Sequence, residues 1–177
     1  LKTKAKVPYA VTDPSRIPAR RYYDQAFYDL ECQTVWKRTW QMACRLEEIP
    51  NVGDYVEYEI LDQSVLIVRV DANRVKAYHN ACRHRGVQLA KDRGNVKQGF
   101  SCPFHGWRFN IEGDCTFVYQ PDLFAEADRD KADLRLRECR IDFWGGCAFI
   151  NFDDNAPGLR ESLGSFAKYC EDRGAAD

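Results

Sequence analysis

Two short segments constrain this chain of 177 residues more than anything else in it. They are Asn80-Ala81-Cys82-Arg83-His84-Arg85-Gly86 and Ser101-Cys102-Pro103-Phe104-His105-Gly106-Trp107. Each places one Cys and one His in a tight loop after a strand-like run, and 17 residues separate His84 from Cys102. Two such loops can close on one metal centre from opposite sides. Two thiolates and two imidazoles form a mixed soft and borderline donor set that zinc or an iron–sulfur cluster would accept.

Three details favour the cluster. Short structural zinc sites usually pair Cys with Cys and His with His, whereas here each loop supplies one of each. That division suits two cysteines on one iron and two histidines on the other. Gly86 and Gly106 directly follow the loops, where the absence of a side chain lets backbone N–H groups approach inorganic sulfide. Pro103 and Trp107 would stiffen and shield one side. A structural zinc module remains the alternative on these grounds.

Cys-Arg-His-Arg-Gly followed by Cys-Pro-Phe-His-Gly-Trp resembles the Rieske motif of ring-hydroxylating oxygenase α subunits, with a likeness covering residues 24–170. The resemblance implies a [2Fe–2S] cluster with Cys82 and Cys102 on one iron and His84 and His105 on the other. Arg83, Arg85, Gly86, Pro103, Gly106 and Trp107 would surround it. It also implies one-electron relay from a reductase or ferredoxin to a mononuclear iron in a catalytic domain, of the same or a neighbouring subunit, and a homotrimer for the full-length protein. Arg83 and Arg85 read equally well as solvated charges or as guanidinium forks for a partner's carboxylates. High-potential respiratory relatives of this motif carry an extra Cys in each loop, where Val87 and Phe104 stand here, and Phe109 offers no hydroxyl. Fewer hydrogen bonds to the sulfurs imply a potential near the low end of the Rieske range, on the order of −150 mV.

A mononuclear oxygenase iron needs two His and a carboxylate. The chain has three histidines. With His84 and His105 committed, only His79 is left, at a strand end where packing is its ordinary role. No catalytic residue is therefore assigned, and the reading is an oxygenase whose catalytic domain lies outside this chain. A stand-alone Rieske ferredoxin is the alternative.

Net charge is −1, with 26 basic and 27 acidic residues, giving no reason to expect nucleic acid or an anionic membrane as partner. Apolar runs such as Val65-Leu66-Ile67-Val68 are far shorter than the roughly 20 residues of a membrane span. With no secretory leader in view, the eight cysteines read as reduced thiols in a cytoplasmic protein.

Periodicity predicts a mainly β, antiparallel Rieske-type sandwich or barrel flanked by an N-terminal and a C-terminal helix. Residues 1–40 form an arm and a helix over Asp24–Arg38. Residues 41–155 form the cluster domain, with a small binding subdomain at about 79–118. Residues 156–177 form a helix, with Asn155 as its cap and Pro157 in its first turn. Strands are expected at Tyr55–Ile60, Ser64–Val70, Val75–Tyr78, Gly99–Cys102, Trp107–Ile111, Cys115–Tyr119, Leu134–Arg140 and Cys147–Phe152. Glu112-Gly113-Asp114 marks a hairpin turn. Trp36, Trp40, Tyr55 and Tyr58 are expected in the core, and Asp128–Lys131 in an exposed loop.

Overall fold

The computed structural model describes residues 8–125 and 133–174; the expected loop at Asp128–Lys131 lies outside the described residues. The β-branched, apolar run Val65-Leu66-Ile67-Val68 organises the fold. It lies in β3 (Gln63–Arg69), and all four side chains are inaccessible to solvent. A strand apolar on both faces must be covered on both faces. Leu66 and Val68 face one core, with Tyr78, Phe100, Trp107, Phe109 and Leu136. Val65 and Ile67 face a second, with Cys44, Ile49, Ala77, Ala148 and Ile150.

β3 sits inside a sheet of order β4-β3-β2-β5, built with β2 (Asp54–Ile60), β4 (Val75–His79) and β5 (Arg93–Asn95). Its second face is covered by a sheet of order β1-β10-β9. Those strands are β1 (Gln41–Arg45), β9 (Arg140–Trp144) and β10 (Cys147–Asn151). Its first face meets a small sheet of β6 (Phe100–Ser101), β7 (Arg108–Phe109) and β8 (Cys115–Phe117). Every strand pair is antiparallel. The mainly β, antiparallel architecture expected from the sequence is present as open sheets, with helices toward both ends.

Several local expectations are corrected. The N-terminal helix, α1 (Gln25–Glu31), starts as read, with the Asp24 carboxylate accepting from Phe27 N at 2.9 Å, but it ends at Glu31 and relaxes into a π-type turn over Cys32–Trp36. There Thr34 Oγ1 bonds back to Leu30 O at 2.7 Å, an alternative partner that loosens the α-helical pattern. Trp36 is exposed rather than core, and Trp40, Tyr55 and Tyr58 are half-buried. The strand expected at Leu134–Arg140 forms instead at Arg140–Trp144. Leu134–Cys139 threads between the two cores, Leu136 entering one and Cys139 the other, and meets β4 at an isolated Tyr78–Glu138 bridge beside a Lys76–Glu138 ion pair, not as a continuous strand. The C-terminal helix is two helices, α2 (Leu159–Leu163) and α3 (Ser165–Glu171), parted at Gly164, whose φ of +55° lies outside the helical region. It is not capped by Asn155. Asx bonds from Asp153 N to Asn151 Oδ1 and from Asn155 N to Asp153 Oδ1, both 2.9 Å, keep that stretch turned.

Candidate metal centre

The two motif loops fold on one backbone plan. Cys82 N donates to Val87 O at 2.8 Å and Gly86 N to Cys82 O at 2.8 Å. Cys102 N donates to Trp107 O at 2.7 Å and Gly106 N to Cys102 O at 3.0 Å. Gly86 and Gly106 stand at φ of +73° and +69°, where an L side chain is strained, and a Cβ at either would meet nothing within 4 Å. These glycines are therefore required by backbone conformation rather than by crowding.

Folding brings like donors together. Cys82 and Cys102 are both buried, and their thiols lie close enough to act on one another. The rings of His84 and His105 meet edge-on, centroids 4.8 Å apart. Burial, opposed by backbone N–H groups of His84 and Arg85 donating to its sulfur, pushes the Cys82 thiol up to about 11. Burial first, then the neighbouring His105 and Arg85, lowers the His84 pKa. His105 Nδ1 is buried with no hydrogen-bond partner among the described residues. A buried orphan nitrogen is costly unless something coordinates it. Among the described residues no three Cys, His, Asp or Glu side chains converge on one point as a single tetrahedral ion demands. A thiol pair beside an imidazole pair, with N–H groups aimed at sulfur, fits a two-iron cluster better than one zinc.

Around these four residues, Trp107 is buried and stacks flat on His84, 4.9 Å and 6° apart. Phe104 is 56% exposed beside His105, with the Arg85 guanidinium 5.9 Å over its ring. Arg83 donates to Asp133 O at 3.2 Å, and Pro103 is exposed. His79 stands apart, half-buried against Phe152, ring centroids 6.0 Å apart. Buried Cys44 and Cys139, away from the loops, are pushed up to about 12, first by burial.

Sequence reasoning gave no role to two supports. Asn80, 3% exposed, ties the first loop to its surroundings through Glu57, Ser64, Leu89 and Ala90. A lone amide after an apolar strand was its available signal. Phe124 meets His84 and Trp107 edge-on, 17 residues beyond Trp107, and no spacing rule connects them.

No helix among the described residues is long and apolar enough to cross a membrane. Residues 39–124 match the family described as the Rieske [2Fe-2S] domain. The chain is 35% identical over 147 residues to the carnitine monooxygenase oxygenase subunit of Escherichia coli, covering 83% of this chain and 39% of that one. It is 31% identical over 159 residues to the biphenyl dioxygenase α subunit of Metapseudomonas furukawaii, covering 86% of this chain and 34% of that one. Naphthalene 1,2-dioxygenase from Rhodococcus, bound to indole, superposes with a TM-score of 0.81 at 29% identity, covering 88% of this chain and 36% of that one. The chain thus spans less than half the length of the curated relatives it matches. It belongs to the Rieske [2Fe–2S] domain family, and its homologues are Rieske oxygenase α subunits.

Proposed function

We propose that this chain relays single electrons through a Rieske cluster held by Cys82, His84, Cys102 and His105. The donor would be a reductase or ferredoxin, and the acceptor a mononuclear iron in a catalytic domain, in a homotrimeric oxygenase that hydroxylates its substrate there. One observation carries this reading: the thiol pair and the imidazole pair lie at the tips of two loops of one design, with His105 Nδ1 unpartnered among the described residues. When bound, the cluster supplies one reversible electron. The chain's own part is to hold four donors rigidly, aim N–H groups at sulfur and keep water off one flank. Lacking extra loop cysteines or a hydroxyl at Phe109, it sets the potential low, on the order of −150 mV. The relay unit spans residues 41–155, a boundary supported by the Gln41–Ile150 pairing of β1 with β10.

The test is low-temperature EPR on the anaerobically reduced protein, with iron, sulfide and zinc assayed on the same sample. Two irons, two sulfides and a rhombic signal whose average g lies below that of all-cysteine ferredoxins are expected. A silent sample with one zinc per chain would mean a structural metal knuckle.

A further inference from the structure

We propose that Phe124 is a positioning residue for the centre: with Trp107 it fixes the His84 ring and closes that flank against water. The inference rests on the cluster reading above. The flat stack of Trp107 on His84 resists tilting but leaves the imidazole free to slide across the indole face. Phe124 blocks that slide. Its ring stands edge-on to His84 at 5.7 Å and 80°, and edge-on to Trp107 at 5.6 Å and 75°. Such T-shaped pairs suit the ring quadrupoles and add attraction beyond the area they bury. With His105 edge-on from another side, the His84 ring is touched by three rings. His105 has no such enclosure: its other aromatic neighbour, Phe104, is largely exposed.

The local chain is built to deliver Phe124 inward. Gln120 adopts φ of +47°, a left-handed conformation that costs a non-glycine residue energy. It leads into a tight turn over Pro121–Leu123, closed by Phe124 N donating to Pro121 O at 3.1 Å. Leu123 is left 78% exposed by that turn, while the next side chain packs on the core that holds Cys82, Cys102 and Trp107. A strained turn that exposes a leucine to seat a phenylalanine marks the phenylalanine as the residue that matters. Water on this flank would stabilise the more negative reduced state and give a chelator access, so the aromatic cover keeps the potential low and the iron in place.

The experiment compares the loaded wild-type chain with Phe124→Ala and Phe124→Leu, reading the midpoint potential and the rate of iron loss to a chelator. In Phe124→Ala the potential should move positive and iron loss should quicken about tenfold, the scale at which removing a ligand's supporting contacts weakens metal binding. Phe124→Leu, which restores apolar cover, should recover at least half of both effects. A wild-type potential in Phe124→Ala, whatever its thermal stability, overturns the proposal, because loosened packing alone would leave the potential in place. A Leu variant that loses iron as fast as the Ala variant overturns it too. A wild-type preparation without iron and sulfide would instead bring down the cluster reading on which it rests.

Discussion

Cys82 and Cys102 open loops closed by the same pair of backbone bonds, yet side chains brace the first loop while the second hangs on a hairpin two residues deep. In the first, Asn80 Oδ1 accepts from Leu89 N at 2.8 Å and Ala90 N at 3.3 Å. Asn80 Nδ2 reaches Ala90 O at 2.7 Å, Ser64 Oγ at 2.9 Å and Glu57 Oε1 at 3.0 Å. One buried amide thus staples both ends of the loop to β2 and β3. In the second, only the Phe100–Phe109 and Ser101–Arg108 pairs form the stem. Its rigidity comes from backbone closeness and from buried Phe100 and Phe109. The difference teaches that a shared loop geometry does not imply a shared support. The loops therefore fail by different routes.

The largest expected effect is at the second stem. A Cβ on Gly99 would lie 2.0 Å from Phe109 O, at a φ of +103° that L residues rarely adopt. Backbone cannot yield to that contact without parting the hairpin. Gly99→Ala should cost roughly 3–5 kcal/mol in urea unfolding. Gly86→Ala and Gly106→Ala, strained but uncrowded, should cost about 1–2 kcal/mol each and resemble one another. If Gly99→Ala proves no worse than Gly106→Ala, the account of the second loop is broken.

Next comes the first brace. Asn80→Ala takes the side-chain partner from the Leu89 and Ala90 N–H groups and from the Ala90 carbonyl, and one donor from Glu57, which keeps Ser64 Oγ and Asp92 N. The expected loss is about 2–4 kcal/mol, most of it the cost of buried groups left unpaired. A double-mutant cycle with Ser64→Ala should show clear coupling, since Ser64 Oγ also donates to Glu57. Additive losses would mean that Asn80 is ordinary packing.

What the sequence made legible follows the same division. The loops themselves were readable, because Cys and His at fixed spacing mark them out in the sequence. β2, β3 and β4 were readable through alternation and a β-branched run. β5 was not, since Arg93-Gly94-Asn95 is exposed throughout and pairs only at a sheet edge. β1 was hidden by its mixed pattern, and a register shift between Met42 and Cys44 interrupts it. Leu134 to Arg137 alternates like a strand, but its residues serve two cores in turn, which periodicity along one segment cannot express. Asn80 and Phe124 act on the loops through contacts distant in sequence, and only folding reveals them.

The smallest effect separates the two stems by pH. β4 ends in His79, three residues before Cys82, whereas the second stem carries no histidine. Burial, then the Arg137 guanidinium, lowers the His79 pKa, with Asp154 opposing them. Lys37, Glu138, Cys139 and Arg140 line the same cleft. The unfolded chain keeps an ordinary histidine pKa of about 6.5, so on acidification it takes up a proton more readily than the folded chain. The stability that neutral His79 contributes is complete above that value. It is lost as pH falls through the usual histidine range toward the lowered folded value, and then levels off. Urea midpoints of wild type and His79→Gln at pH 7.5 and 5.5 should therefore show the variant losing less stability on acidification. Equal losses in the two proteins would mean that the base of the first loop is no more acid-sensitive than that of the second, and the polar brace would have no pH signature of its own.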